Sequence, residues 1–197
     1  MVWVVTSSVI GGLLLVAGAP KLRDRAGMLR VVQGYRLLPP ALERPMALVL
    51  PYAEVLVGAV LVTGLLTTGA AVAATTLFLV FCAGLSTNLL RGRRDLDCGC
   101  FSFTGRDQAP RISWWHAGRA LALALASLAL AVAPVIFGAS SVGRLEQAAG
   151  TALAGLLLAA AFAVGALRSV VHLGRRPVDD HLARAAYELR APATPVR

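Results

Sequence analysis

Two of the three cysteines, Cys98 and Cys100, lie one residue apart in a polar stretch between hydrophobic segments. Gly99 separates them, and glycine adopts positive φ without a steric clash. The backbone can therefore bend enough to bring the two Cα atoms within about 4.4–6.8 Å, as a disulfide requires. So small a ring is strained, and strained disulfides tend to be labile or catalytic. The spacing of this cysteine pair indicates thiol–disulfide chemistry.

Charged residues flank the cysteine pair on its N-terminal side. Three arginines favour the thiolate, which is the nucleophilic and metal-binding form: Arg91, Arg93 and Arg94. Asp95 and Asp97 oppose that effect. Two thiolates also suit Cu(I), with His116 as a third ligand or proton donor, although a histidine beside two tryptophans is more simply interfacial. A redox dithiol, a soft-metal site and a chance pair all remain open.

The composition is that of an integral membrane protein. Hydrophobic residues make up 57% of the 197-residue chain and charged residues 15%, with a mean hydropathy of +0.72. The net charge of +9 does not indicate nucleic-acid binding, because the basic residues lie in short segments between apolar runs. Three cysteines at this spacing match neither a secreted disulfide framework nor a closed four-ligand zinc site, and no metal ligand is assigned.

Five apolar segments are long enough to cross a bilayer, which takes about 17–25 residues. They are Val2–Ala19, residues 46–66, residues 69–90, Ile112–Phe137 and Gln147–Leu167. Apolar residues at helical spacing from Met28 to Leu38 add a short amphipathic helix. The predicted fold is an all-α integral membrane bundle of five transmembrane helices with this interfacial helix after the first. Residues 1–170 form the transmembrane domain and residues 171–197 a polar cytoplasmic tail.

The basic residues also predict the orientation. The segment after the first span holds six Lys or Arg, the cysteine loop five and the tail six, whereas the other two connections hold none and one. Basic segments stay in the cytoplasm, so the N-terminus is expected outside and the C-terminus inside. The cysteine pair then faces the cytosol, which normally keeps thiols reduced.

A cluster of polar residues is expected at the cysteine end of the bundle. Glu54, the only charged residue from Pro45 to Leu90, and Arg119 each lie roughly 10–12 Å deep from that face. Lys21 and Asn88 end spans at the same face. An intramembrane charge is costly without a partner. Either Glu54 forms a structural ion pair with Arg119 or Lys21, or the group handles protons or polarises a ligand. Cys82 is expected to be a buried core thiol.

Several motifs, in this order, resemble those of the MauE family of methylamine-utilisation membrane proteins, which is related to DoxX-like proteins. They are Ala17-Gly-Ala-Pro-Lys-Leu22, Leu50-Pro-Tyr-Ala-Glu54, Asn88-Leu-Leu-Arg-Gly-Arg93, Asp97-Cys-Gly-Cys-Phe101 and Ile112-Ser-Trp114. Ser102 departs from the pattern, since the family usually has glycine after the phenylalanine. The resemblance covers about residues 10–167.

The resemblance implies a multi-pass protein of a bacterial plasma membrane that assists processing, transport or disulfide maturation of the methylamine dehydrogenase small subunit, alongside a thioredoxin-like partner. The first hypothesis is a redox or maturation factor in which Cys98 and Cys100 cycle between dithiol and disulfide. A quinone or a thioredoxin-like protein would exchange the electrons. The alternative is a non-enzymatic assembly, transport or soft-metal factor, with Lys21, Glu54 and Arg119 along a solute path.

Overall fold

The computed structural model describes residues 2–94, 112–137 and 143–171. Six α-helices lie in these ranges: α1 (Val2–Arg23), α2 (Arg25–Tyr35), α3 (Pro40–Thr63), α4 (Thr67–Leu90), α5 (Trp114–Phe137) and α6 (Arg144–Val171). All but the short α2 are long and apolar enough to cross a membrane. The predicted all-α fold with five spans is confirmed. The cysteine pair and the tail from residue 172 lie outside the described residues.

Prolines lie at two of the differences from the predicted helix bounds. α1 continues through Pro20 to Arg23, four residues beyond Ala19. α3 begins at Pro40 rather than Met46, after Pro39 in extended conformation. Proline is well suited to the first helical position, because the N–H that it lacks has no intrahelical acceptor there. The sequence predicts that α1 ends just before Pro20 and that α3 begins just after Pro45, whereas both prolines lie inside their helices.

A tight turn connects α3 to α4. Gly64 ends α3 with φ of 71°, and Leu66 precedes α4 with φ of 47°. The Thr67 hydroxyl donates to the Gly64 carbonyl at 2.9 Å, and the Gln147 amide from α6 donates to the Val62 carbonyl at 3.0 Å. These bonds satisfy carbonyls that the end of α3 leaves without helical partners.

α1 and α3 approach each other closely at two glycines. A Cβ added at Gly11 would lie 2.6 Å from the Gly58 carbonyl oxygen, and one added at Gly58 would lie 2.7 Å from the Gly11 oxygen. Small residues permit such close backbone packing in a membrane. Beside this crossing, Ile10, Leu61 and Phe78 belong to a core cluster that also includes residues of α5.

The chain divides into two compact units, Met1–Leu158 and Ala159–Arg197. The first holds α1–α5 and the first half of α6, where the Ser8 and Thr151 hydroxyls lie 3.2 Å apart. The described part of the second unit is the end of α6, with exposed apolar side chains such as Phe162 and Leu167. All the site residues described below belong to the first unit.

Candidate functional site

A buried ion pair joins α1 to α3. The Lys21 ammonium donates to both carboxylate oxygens of Glu54, at 2.7 and 2.8 Å. Lys21 is 8% exposed and Glu54 is fully buried. Gly18, one turn before Lys21, makes the contact possible, because a Cβ there would lie 2.9 Å from the Glu54 Cβ. The predicted contact of Glu54 with Lys21 is present.

The extension of α1 past Ala19 places Lys21 inside a regular helix. Glu54 lies fourteen residues after Pro40 and therefore about 21 Å along α3. The depth of 10–12 Å expected from the sequence was measured from a helix start at Met46, which is wrong by six residues. Glu54 therefore lies near the middle of α3, and a carboxylate within a spanning helix is costly without a partner.

A third helix contributes an aromatic ring to the pair. The Lys21 ammonium lies 5.6 Å from the ring centroid of Phe81 on α4. A cation at this distance from an aromatic face is attracted by the ring quadrupole. Lys21 thus connects α1 with α3 through its ion pair with Glu54, and with α4 through its contact with the Phe81 ring.

A small cavity of about 70 Å³ lies beside the ion pair. Its polar lining comes from Lys21, Glu54, His116 and Arg119, and apolar side chains of α1, α4 and α5 complete it. Three of the four supporting residues named from the sequence therefore line one cavity. The fourth, Asn88, occupies a different place at the end of α4.

A larger cavity, of about 340 Å³, lies between α2, α3 and α4. Lys21, Phe81 and Leu85 line both cavities and thus form the wall between them. Sequence reasoning missed this larger cavity, because its existence depends on where α2 packs. The helical spacing of Met28, Val32 and other apolar residues indicated that α2 has an apolar face. The sequence prediction placed this whole face against lipid, whereas part of it lines the cavity.

Asn88 organises the end of α4. It is fully buried, its amide donates to the Gly84 carbonyl at 3.1 Å, and its side-chain oxygen accepts from Arg93 at 3.2 Å. Arg93 also donates to the Tyr35 carbonyl at 3.4 Å. A buried amide with both of its ends satisfied has a structural explanation. Asn88 fixes the residue from which the cysteine-bearing segment departs.

A second arginine strengthens the same junction. Arg91 donates to the Arg36 carbonyl at 3.3 Å, next to the contact of Arg93 with Tyr35. Both carbonyls lie at the C-terminus of α2, where the helix dipole favours cations. We refer to Arg91 and Arg93 with these two carbonyls as the arginine clamp. It binds the first arm of the cysteine-bearing segment to α2.

The other arm of that segment enters α5 through a cap. The Ser113 N–H donates to Nδ1 of His116 at 3.2 Å, and the Ser113 hydroxyl lies 2.9 Å from the same nitrogen. Because a backbone N–H can only donate, Nδ1 is the acceptor, and a neutral ring carries its hydrogen on Nε2. His116 therefore caps α5 and lines the small cavity. Trp114 and Trp115 beside it are exposed, as an interfacial anchor requires.

Cys82 is a free thiol at the α4–α5 contact. It is half-buried rather than fully buried, and its sulfur donates to the Ala117 carbonyl at 3.6 Å. It packs against a core cluster that includes Leu85 and Leu89. Within the described ranges, no group of three or more His, Cys, Asp or Glu side chains could hold a metal ion. Cys98 and Cys100 lie outside those ranges.

Fold and site together define a multi-pass helical membrane protein with a buried Lys–Glu pair between two cavities. The family model described as Methylamine utilisation protein MauE matches residues 1–133, which is more than half of the chain. The chain belongs to the MauE family. The matched range includes the ion pair, the arginine clamp and the positions of both loop cysteines.

Relatives with the name Methylamine utilization protein MauE are similar over much of the chain. The Paracoccus denitrificans protein is 46% identical over 60% of this chain and 63% of its own length, just under two thirds. The Methylorubrum extorquens protein is 38% identical over 74% of this chain and 76% of its own, and the Methylophilus methylotrophus protein 38% over 79% and 82%. No solved structure matches the chain significantly.

Proposed function

We propose that this chain is a membrane thiol–disulfide redox or maturation factor. Cys98 and Cys100 cycle between dithiol and disulfide and assist processing or disulfide formation of an amine dehydrogenase subunit or another exported protein. The names of the relatives connect the family with methylamine utilisation. A thioredoxin-like protein or a quinone exchanges electrons with the pair.

The observation that carries this proposal is the arginine clamp. Arg91 and Arg93 bind the end of α4 to the C-terminus of α2, and Cys98 follows only five residues later in the sequence. At the other arm, Ser113 and His116 cap α5. These contacts hold both flanks of the cysteine-bearing segment at one end of the helix bundle. This arrangement supports a defined position for the two thiols. Arginines near a cysteine also favour the thiolate.

The positive-inside distribution supports an orientation with the N-terminus outside and the C-terminus inside a bacterial plasma membrane. The cysteine pair then faces the cytosol, as does the polar tail of residues 171–197. On that side a thioredoxin-like partner can reach the pair directly. Electrons can also pass into the bilayer through a membrane-soluble carrier.

Complementation in a methylamine-oxidising bacterium that lacks its own family member tests the function. The wild-type chain and the Cys82→Ser control should restore growth on methylamine and the disulfides of the dehydrogenase small subunit. Cys98→Ser and Cys100→Ser should each abolish both at equal membrane abundance. Equal restoration by all four chains would show that the pair is not required.

One observation favours the second candidate, a non-enzymatic assembly or transport factor. The Lys21–Glu54 pair separates two cavities, as a polar group on a solute path would. In that case Cys98→Ser and Cys100→Ser should leave complementation intact, while Lys21→Met should abolish it at equal membrane abundance. The same strain set therefore separates the two candidates.

A further inference from the structure

The cavity between α2, α3 and α4 has the size and lining of a small-molecule site. Its volume of about 340 Å³ falls within the range of about 300–1,000 Å³ that is typical of ligand pockets. Apolar side chains from all three helices make up most of the wall: Met28, Val32, Leu50, Val80 and Leu85. A few polar groups, above all the Lys21 ammonium, interrupt this apolar lining.

Part of the cavity wall reaches the outer surface of the spanning helices. Met46 on α3 and Val80 on α4 line it and are also exposed on the outer surface of these spanning helices, with Val80 51% exposed. The outer surface of a membrane-spanning helix contacts acyl chains rather than water. A hydrophobic ligand can therefore enter between α3 and α4 from the bilayer and leave its tail there.

The charge at the inner end selects for a neutral head group. Two of the three N–H donors of Lys21 bind Glu54, at 2.7 and 2.8 Å, so the pair is already balanced in charge. An anionic head group would add a second negative charge next to buried Glu54, which is costly in this environment. A neutral carbonyl oxygen can accept the third N–H of Lys21 without that cost.

Aromatic residues indicate the shape of the head group. Phe81 and Tyr35 line the cavity from α4 and α2, and rings of this kind pack well against another planar ring. Tyr35 also connects the cavity with the arginine clamp, since its carbonyl accepts the bond from Arg93. The wall of the cavity thus extends to the root of the cysteine-bearing segment.

We propose that this cavity binds a lipophilic quinone, with a ring carbonyl at Lys21 and the tail in the bilayer. The inference rests on the proposed function, because the quinone is the oxidant for the cysteine pair. Oxidation of the two thiols forms one S–S bond and releases two electrons and two protons. The quinone takes up both electrons and both protons and becomes the quinol.

Binding of radiolabelled decylubiquinone to the full chain in lipid nanodiscs tests the site, with empty discs as background. Gly84→Phe fills the cavity: an added Cβ has its nearest contacts with Leu37 and Tyr35 at 3.5–3.6 Å, so the new ring starts without a clash. Gly69→Phe adds the same ring to α4 where no atom lies within 4 Å.

The Gly84→Phe change should weaken binding at least about tenfold, which corresponds to about 1.4 kcal/mol. The Gly69→Phe control should stay within about twofold of wild type. Should the phenylalanine variant not fold, Gly84→Leu serves with a smaller effect of the same direction. Wild-type affinity in folded Gly84→Phe or Gly84→Leu protein overturns the site.

Two further arms identify the ligand and separate this inference from the function above. Decylbenzene has the tail and a ring but no carbonyl, and it should displace decylubiquinone poorly; equal displacement overturns the quinone assignment and indicates a general lipid pocket. The Cys98→Ser/Cys100→Ser double variant should bind decylubiquinone like wild type, which supports the site independently of the thiols. If the wild-type chain cycles between dithiol and disulfide but does not bind decylubiquinone, the quinone site is wrong and the proposed function still stands.

Discussion

Removal of the lysine from the Lys21–Glu54 pair should destabilise the bundle strongly. Lys21→Met keeps the length of the side chain and leaves the Glu54 carboxylate without the two hydrogen bonds of 2.7 and 2.8 Å that it now accepts. Both residues are buried, so hydrogen bonds lost there are costly to leave unmade. Breaking a buried pair in this way costs about 3–5 kcal/mol.

The double variant Lys21→Met/Glu54→Leu should recover most of that loss. Well-packed apolar residues often replace a buried ion pair with little cost or with a gain of about 1–4 kcal/mol. The measurement is reversible unfolding in mixed micelles by SDS titration, followed by far-ultraviolet circular dichroism. Glu43→Gln, which removes a single charge in the first turn of α3, is the control and should change the free energy of unfolding by less than about 0.5 kcal/mol. A loss of less than about 1 kcal/mol for Lys21→Met, together with additive effects of the two changes, would show that the pair does not stabilise the bundle.

Three further predictions concern packing, the arginine clamp and orientation. Gly11→Ala should lower the free energy of unfolding by about 1–3 kcal/mol, because the new methyl group meets the Gly58 carbonyl at 2.6 Å, whereas Gly118→Ala, in open space, should not. Arg93→Ala should speed proteolysis of the cysteine-bearing segment in nanodiscs, and exposed Arg94→Ala should not; equal rates would contradict the clamp. In intact cells a membrane-impermeant maleimide should leave the cysteine pair unlabelled, and ready labelling would reverse the proposed orientation.

The existence of each spanning helix could be predicted because each is a long apolar run, and this signal depends on composition alone. Helix ends depend on local backbone geometry, and the positions of the prolines led to wrong predicted ends for α1 and α3. Pro20 does not end α1, and Pro40 starts α3 rather than preceding it. The short α2 was predictable from its amphipathic spacing, but the cavity that it closes was not.

The sequence limited the candidate partners of Glu54 to two residues but could not decide between them. Lys21 and Arg119 are both basic and both belong to spans that end at the same face. The choice depends on the crossing of α1 and α3, which Gly11, Gly18 and Gly58 bring together. Such packing is a property of two helices, and no single segment carries the signal. The same holds for the arginine clamp, whose acceptors are carbonyls of another helix.

Equilibration of the purified protein across a glutathione or dithiothreitol series, followed by alkylation and mass counting, tests the central claim most directly. Cys98 and Cys100 should lose and regain two alkylation sites together at a relatively oxidising potential, because ring strain disfavours the bridged state. Cys82 lies at the α4–α5 contact and should remain a free thiol at every redox potential, so that it is alkylated once the protein is unfolded. A pair that remains reduced throughout, or a change confined to Cys82, would contradict the thiol–disulfide account.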